Sequence, residues 1–279
     1  MKLYKFRKVD TFSLSGLSNN TLWFSNIDSF NDPFEGNYIL DKKLSETKWQ
    51  EVLERFHLKS AEEVGNDEQE AMFEALGVTD SGLDKKDLLN RMMERDIKEA
   101  LIETIHSSKV FSMSLSSDEC DPIYENLMWS HYSDGLRGFC LVFDKDRLLA
   151  WYYEKGIKVR PAVVEYTDKP LVISFTDFID SSYFLDQKPD YDLIENVTRT
   201  ISMKSSSWSY ENELRLLSKE DFHAHHYPPE FLIEIVIGEK MPEDQKNMVI
   251  DIAKTSNPNI EIKQAKLKYG SYDLEILDY

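Results

Sequence analysis

Polar side chains recur at alternate positions on two predicted strands. Glu211 and Glu213 stand two residues apart where one strand begins, and Ser112 and Ser114 do the same on another. This spacing places both side chains on one side of an extended chain. Two such carboxylates can divide labour, because one can stabilise a developing cation while the other orients or deprotonates a nucleophile. We therefore take Glu211 and Glu213 as candidate catalytic residues.

Two arginines close to these strands are candidates for binding an anion. Arg7 ends the first predicted strand, and Arg215 follows the two glutamates. A guanidinium group offers a planar fork of donors that matches phosphate. We predict that Arg7 and Arg215 contact a ligand and that Ser112 and Ser114 shape the wall of its pocket. Each feature alone is ordinary on a solvated strand, so the prediction depends on their conjunction.

A predicted helix contributes an imidazole and aromatic rings. Asp121-Pro122 indicates a helix start, and the pattern continues through Trp129 and Tyr132 to Gly135. His131 on this helix either makes one core hydrogen bond or lines a cleft. We predict a catalytic role for His131 and ligand contact for Tyr132, and we note Trp129 as a motif residue suited to a core.

Two further polar stretches need an interpretation. Asn31 and Asp32 precede Pro33 in a turn, and we keep both as candidate site residues beside their role in the bend. The segment His223–His226 holds three imidazoles, but no cysteine or acidic residue at ligand spacing completes a tetrahedral set. We therefore predict a polar loop there and no metal site.

The composition limits the classes of partner. The chain has 279 residues with 33 basic and 51 acidic side chains, which gives a formal net charge of −18. This excess excludes broad non-specific binding of nucleic acid but leaves room for a small basic pocket. Cys120 and Cys140 form no C-x-x-C pair, and no apolar run approaches the roughly 20 residues of a membrane span. We predict a soluble cytoplasmic protein with no membrane partner.

Hydrophobic periodicity indicates the elements that must position these residues. Alternation of period two predicts strands over 2–7, 109–115, 213–217 and 232–237, whereas helical spacing prevails between residues 42 and 107. Strands predominate elsewhere and do not alternate regularly with helices. We predict an α+β fold of twisted, largely antiparallel sheets with packed helices. It forms one domain, 1–279, with an acidic helical insertion at about 42–107.

Four stretches of the chain resemble the bacterial domain of unknown function 2971. They are Leu3–Arg7, Leu22–Ser25 with Ser29–Glu35, Leu127–Tyr132 with Gly138–Asp144, and Trp208–Arg215. The resemblance carries no assigned activity.

The order of Arg7, Ser-x-Ser and Glu-x-Glu is similar in layout to arginine–serine–glutamate type ADP-ribosyltransferases. That resemblance implies an ADP-ribosyltransferase-like fold and NAD as substrate. Arg7 would lie at an NAD phosphate or ribose, Ser112 and Ser114 beside the nicotinamide, and Glu213 would stabilise an oxocarbenium-like transition state. Met113 departs from the pattern, because that family usually has threonine there. The implied setting is a toxin or a phage-defence enzyme, with a protein or nucleic-acid acceptor that the sequence does not identify.

Two rival interpretations belong to other classes. In the first, the charged residues form a buried ion network that fixes strand register, and the acidic segment 60–84 binds a basic protein partner. In the second, the acidic surface mimics nucleic acid.

Overall fold

The computed structural model describes residues 1–55, 85–118, 120–180 and 198–279. The chain forms two compact units, of which the first comprises residues 1–35, 107–168 and 202–279 and the second residues 36–106 and 169–201. The predicted insertion at about 42–107 falls in the second unit except for Ser107, and residues 169–201 belong to that unit too. The acidic segment 60–84 lies outside the described residues.

Fifteen strands are present in the described residues. They are β1 (Lys2–Arg7), β2 (Thr21–Trp23), β3 (Ser25–Asn26), β4 (Tyr38–Asp41), β5 (Lys109–Leu115), β6 (Phe139–Asp144), β7 (Val159–Val163), β8 (Glu165–Thr167), β9 (Leu171–Ser174), β10 (Met203–Ser205), β11 (Glu213–Ser218), β12 (Ala224–His226), β13 (Leu232–Gly238), β14 (Glu261–Leu267) and β15 (Leu274–Asp278).

The α-helices are α1 (Thr11–Ser18), α2 (Glu46–Arg55), α3 (Lys85–Ser107), α4 (Asn126–Tyr132), α5 (Lys145–Glu154), α6 (Phe175–Asp180) and α7 (Glu243–Ser256). Short 3-10 helices cover Ile27–Ser29, Pro122–Tyr124, Ser206–Glu211 and Pro229–Phe231. The predicted α+β class is confirmed.

A nine-stranded sheet organises the first unit. Its order is β15-β14-β13-β6-β1-β5-β11-β7, and β3 pairs with β5 beside this path. All neighbours in it run antiparallel except β13 and β14, which are parallel. The largely antiparallel sheet predicted from the sequence is therefore present, and β1, β5 and β11 are consecutive neighbours in it.

Side chains alternate between two cores on the faces of this sheet. Leu3, Phe111 and Leu214 belong to one core, to which α1, α5 and α7 contribute Leu17, Leu148 and Val249 among others. Tyr4, Phe6 and Val142 belong to the other core together with Met128 and Trp129 of α4. The Trp129 ring meets the Phe6 ring edge-on at 5.2 Å, and its indole donates to the Ile123 carbonyl at 2.8 Å. Trp129 is thus a core residue.

Within the described residues, the second unit contains the parallel strands β4 and β9, helices α2 and α6, helix α3 except for Ser107, and the helical residues 198–201. Strand β4 pairs with β9, Tyr38 standing opposite Leu171. On the helices, Trp49 and Val52 of α2 and Met93, Ile97 and Leu101 of α3 are buried at the helical spacing that the sequence predicts.

Two predicted elements differ in part from the structure, and one helix was not predicted. The helix expected from Pro122 begins later, because Pro122–Tyr124 forms a 3-10 helix and the Glu125 side chain then caps α4 by accepting from the Leu127 N–H. Of the helix predicted over 190–204, residues 190–197 lie outside the described residues, residues 198–202 are helical as predicted, and the end is strand β10 instead. Helix α1 is not predicted by its apolar pattern; Asp10 caps it by accepting from the Ser13 N–H at 2.7 Å.

The polar loop predicted at His223–His226 is wrong. Residues 224–226 form β12, which pairs with β2, and the His225 side chain is 1 % exposed with its ring 4.2 Å from that of Phe24. The His225 imidazole packs against the Phe24 ring. This contact joins distant segments of the chain, so local composition does not reveal it. Within the described residues, no three His, Cys, Asp or Glu side chains are grouped so as to hold a metal ion. No helix of the described ranges is long and apolar enough to span a membrane.

Candidate ligand pocket between diverging strands

A pocket lies where β1 and β5 separate. Only two residue pairs join these strands, Leu3 with Leu115 and Tyr4 with Ser114. Beyond Tyr4, β1 continues in pairing with β6 as far as Arg7, while β5 continues in pairing with β11. A cavity of about 270 Å³ occupies this region of the first unit. The divergence explains why residues from both faces of the sheet line one cavity.

The cavity brings together most of the residues singled out in the sequence. Its lining includes Arg7, Asn31, Ser112, Ser114, Tyr132, Glu211 and Glu213. Aromatic rings of Phe12, Trp23, Phe30 and Phe111 also line it. The pocket therefore combines flat apolar surfaces with a dense set of charges.

Five charged side chains form a buried network at one side of the pocket. Lys204 Nζ lies 2.7 Å from Glu211 Oε2, 3.1 Å from Glu35 Oε1 and 3.5 Å from Glu213 Oε2. Arg215 bonds Glu213 through Nε at 2.9 Å and Glu35 through Nη2 at 2.7 Å. With all five groups ionised, two cations face three carboxylates. Because removing one partner would leave uncompensated buried charge, each charge depends on the others.

The pKa shifts separate the roles of the glutamates. Burial alone would raise the pKa of Glu213, but the Arg215 guanidinium, Lys204 and a hydrogen bond from Ser112 lower this pKa to about 2. Burial raises the pKa of Glu211 despite the opposing effect of Lys204, and it raises the pKa of Glu35 in the same way. Glu213 is therefore ionised at neutral pH, whereas Glu211 binds a proton more readily than an ordinary glutamate does.

The chain is not extended at Glu211, contrary to what the alternate spacing of Glu211 and Glu213 had implied. It ends the 3-10 helix Ser206–Glu211, and Asn212 follows with a φ of 41° in the left-handed region. Both carboxylates still reach the pocket because this turn brings Glu211 beside Lys204. The Tyr132 hydroxyl donates to Glu211 Oε1 at 2.5 Å and accepts from Asn31 Nδ2 at 3.3 Å. Asn31 and Tyr132 thus support Glu211.

Lys5 and Arg7 place two cations on β1 near the aromatic wall. Lys5 Nζ lies 4.8 Å from the centre of the Phe111 ring, and the Arg7 guanidinium carbon lies 5.9 Å from it. Both side chains are half-buried. Among the described residues, neither cation has a carboxylate within ion-pair distance, so this side of the pocket suits an anion.

Four predicted site residues lie away from the cavity lining. His131 is exposed and bonds the Tyr210 hydroxyl through Nδ1 at 2.9 Å. Trp129 is in the core, and Asp32 accepts from the Phe34 N–H at 2.9 Å within its turn. Arg215 is 1 % exposed and serves the two carboxylates that it bonds. Trp129 therefore takes the core position expected for it, whereas His131, Asp32 and Arg215 lie outside the cavity lining.

Three charged residues of the pocket were missed in the sequence. Lys5 precedes Arg7 by two positions, so strand periodicity could have paired them. Glu35 falls in a stretch that resembles the family, which was a signal for its importance but not for its contacts. Lys204 gave no local signal, because its strand, β10, pairs with β8 and the three carboxylates surround Lys204 only in the folded chain.

The family comparison covers the part of the chain that supplies most of the charged network. Residues 128–216 match the model of a family described as "Protein of unknown function (DUF2971)". This chain resembles the DUF2971 family. The matched segment contains Tyr132, Lys204, Glu211, Glu213 and Arg215, whereas Arg7 and the two serines of β5 precede it. No curated protein and no solved structure matched the chain.

The arrangement has two chemical capacities. Arg7 can hold an anionic group beside aromatic rings, and Glu213 offers a fixed negative charge in the same cavity. A fixed carboxylate stabilises positive charge that develops in a transition state. The pocket therefore suits a ligand with a phosphate, a flat ring and a reacting centre that becomes cationic.

Proposed function

We infer that this chain is an NAD-using enzyme of ADP-ribosyltransferase type, acting in the cytoplasm as a toxin or in phage defence. The observation that supports the proposal most is that Arg7, Ser112, Ser114, Glu211 and Glu213 line one cavity. They come from adjacent strands and the turn before β11, in the order that the sequence layout implies.

The proposed reaction breaks the bond between nicotinamide and the ribose C1 atom. The bonding electron pair leaves with nicotinamide, and a cationic ribosyl group forms beside Glu213, whose negative charge stabilises it. An acceptor nucleophile then bonds to C1 and loses a proton. Glu211, with its raised pKa, suits the removal of that proton. Arg7 would bind a phosphate of NAD.

The direct test measures nicotinamide release from NAD by the purified full-length chain, together with transfer of labelled ADP-ribose to lysate components. We expect Glu213→Gln to lower the rate by at least about 100-fold, a typical loss when transition-state charge stabilisation is removed. Glu234→Gln is the matched control, because Glu234 is also buried and ion-paired, with Lys2 and Lys263, but does not line the pocket.

A second variant keeps the proposal testable if Glu213→Gln does not fold. Arg7→Gln changes a half-buried side chain with no ion pair among the described residues, so we expect it to fold and to lose NAD turnover. Absence of nicotinamide release and of label transfer by the wild-type chain would contradict the proposal.

One observation favours a non-enzymatic alternative. Both carboxylate oxygens of Glu213 already bond Arg215, at 2.9 and 3.1 Å. Such a network could serve only to fix the register of β11, leaving function to the acidic segment 60–84 and a basic protein partner. If deleting residues 60–84 abolishes a cellular phenotype that Arg7→Gln leaves intact, the interaction module is favoured over the enzyme.

A further inference from the structure

Lys5 lies in the pocket and takes no part in the reaction proposed above. Its Nζ donates to the backbone carbonyl oxygen of Ser112 at 2.5 Å, across the gap between β1 and β5. In this gap the two strands no longer pair, so the amine satisfies a carbonyl that has lost its strand partner. One N–H is enough for this bond, and an uncharged amine can make it while keeping its lone pair.

The surroundings of Lys5 differ from those of Lys204, the other lysine of the pocket. Lys204 has three carboxylates within 3.5 Å, and they raise its pKa although burial acts against them. Lys5 has no carboxylate at ion-pair distance among the described residues. Arg7 stands two positions along the same strand, over the same ring of Phe111. A neighbouring cation disfavours a second positive charge.

The titratable groups that act on Lys5 come from several elements. They are Arg7 on β1, Cys140 on β6, Lys204 on β10, Glu211 of the 3-10 helix and Glu213 on β11. Burial, followed by Arg7, lowers the pKa of Lys5 to about 7, although the two glutamates oppose this effect. A large fraction of the amine is therefore uncharged at neutral pH, when an ordinary lysine with a pKa of about 10.4 is almost wholly protonated.

We propose that Lys5 is a reactive amine that condenses with the carbonyl carbon of a small phosphorylated aldehyde, such as an open-chain sugar phosphate, whose phosphate is held by Arg7. Nζ attacks the carbonyl carbon, and the resulting carbinolamine loses water to give a C=N bond. Nζ gives up two hydrogens, which leave with the carbonyl oxygen, so no oxidant or reductant is needed. The cavity of about 270 Å³ accommodates a molecule of this size.

This inference does not depend on NAD turnover. Imine formation requires the amine, an aldehyde and the anion site, whereas the reaction proposed above requires Glu213. If the chain does not turn over NAD, imine formation at Lys5 can still be observed, and the converse also holds.

Pyridoxal 5′-phosphate is a suitable probe because it combines an aldehyde, a flat ring and a phosphate. The full-length wild-type chain is incubated with substoichiometric probe at neutral pH, the imine is reduced with borohydride, and tryptic peptides are analysed by mass spectrometry. Modification of Lys5 blocks cleavage after it and gives the peptide Leu3–Arg7. We expect at least about tenfold more label on Lys5 than on the exposed Lys8, given the larger uncharged fraction.

Two comparisons make the test specific. Labelling of Lys5 in the wild-type chain should rise with pH along a curve with its midpoint near 7. The ratio of labelling by pyridoxal phosphate to labelling by pyridoxal, which lacks the phosphate, should fall at least about tenfold in Arg7→Gln, because a charged hydrogen-bonding partner is lost. Label spread over surface lysines in proportion to exposure, or an unmodified Lys5, would overturn the proposal, and an unchanged ratio would overturn the role of Arg7.

Discussion

Glu213 holds Arg215 through both of its carboxylate oxygens. Oε1 accepts from Nε at 2.9 Å, and Oε2 accepts from Nη2 at 3.1 Å. Nη2 also donates to Glu35 Oε2 at 2.7 Å, so one guanidinium ties the loop before β4 to strand β11. The carboxylate that the proposed reaction needs is thus fixed in position and kept ionised by a residue directly behind it.

Removing Arg215 should destabilise the fold strongly. Arg215→Met leaves Glu35 and Glu213 with one buried cation fewer, and we expect a loss of about 3–5 kcal/mol in the free energy of unfolding. Urea denaturation measures this loss. Arg137→Met is the control, since Arg137 is exposed and donates only to the Asp134 carbonyl among the described residues; it should change stability by no more than about 0.5 kcal/mol. Similar stabilities for the two variants would show that the network contributes little.

Tyr132 should tune the proton affinity of Glu211. The hydrogen bond that the Tyr132 hydroxyl donates lowers the pKa of Glu211 and so opposes the effect of burial. Tyr132→Phe removes this hydrogen bond, so we expect the pKa of Glu211 to rise further. NMR titration of ¹³C-labelled glutamate side chains measures the shift without any need for activity. Tyr210→Phe, which removes a hydroxyl bonded to His131, should leave the titration of Glu211 nearly unchanged; equal shifts in both variants would contradict the assignment.

His225 should make stability depend on pH. Burial lowers the pKa of His225, so the folded chain disfavours the imidazolium, while the unfolded chain takes up a proton near the ordinary value of about 6.5. The stabilising effect of the neutral ring is therefore complete above this pH and is lost as the pH falls below it.

The matched variant is His225→Phe, which keeps the aromatic contacts with Phe24 and Phe222 but cannot titrate. Between about pH 7.5 and about pH 5.5, wild-type stability should fall more than that of the variant, by up to about 1.4 kcal/mol per pH unit. Parallel pH profiles for the two proteins would contradict a buried neutral His225.

Gly138 should tolerate no side chain, because a Cβ atom there would lie 2.1 Å from the Arg7 carbonyl oxygen. Gly138→Ala must push apart β1 and the start of β6, so we expect a cost of at least about 2 kcal/mol. At Gly156 a Cβ meets nothing within 4 Å, and Gly156→Ala adds only the strain of its φ of 67°, about 1 kcal/mol. Urea denaturation should rank the two variants in this order; the reverse order would mean that the two strands can separate without cost.

The strands that carry the pocket could be predicted because their periodicity is local. β5 runs from Lys109 to Leu115 as predicted, and β1 runs from Lys2 to Arg7. Strand β1 alternates because Leu3 packs in one core and Tyr4 and Phe6 in the other. In β5, Phe111 and Met113 of the first core alternate with Ser112 and Ser114, which line the cavity. That Arg7, Ser114 and Glu213 approach one cavity also followed from the sequence, through the similarity in layout rather than through composition.

The charged network could not be predicted, because its partners are joined only by the fold. Lys204 on β10 and Glu35 in the turn before β4 are separated by more than 160 residues and meet only in the folded chain. The sequence around His225 was interpreted as a polar loop because His223 and His226 also carry imidazoles. His225 is buried because β12, which contains it, pairs with β2. Glu211 was expected on extended chain beside the strand, because the left-handed turn at Asn212 has no apolar signature.

Calorimetric titration of NAD into the full-length chain, compared with Arg7→Gln and Arg137→Gln, tests most directly whether the pocket between β1 and β5 is the NAD site. Both variants remove one positive charge, but only Arg7 lines the cavity. We predict that the wild-type chain and Arg137→Gln bind NAD equally well and that Arg7→Gln binds it at least about tenfold more weakly, as expected for loss of a charged hydrogen bond. Absence of NAD binding by the wild-type chain, or equal affinity in all three proteins, would contradict the account.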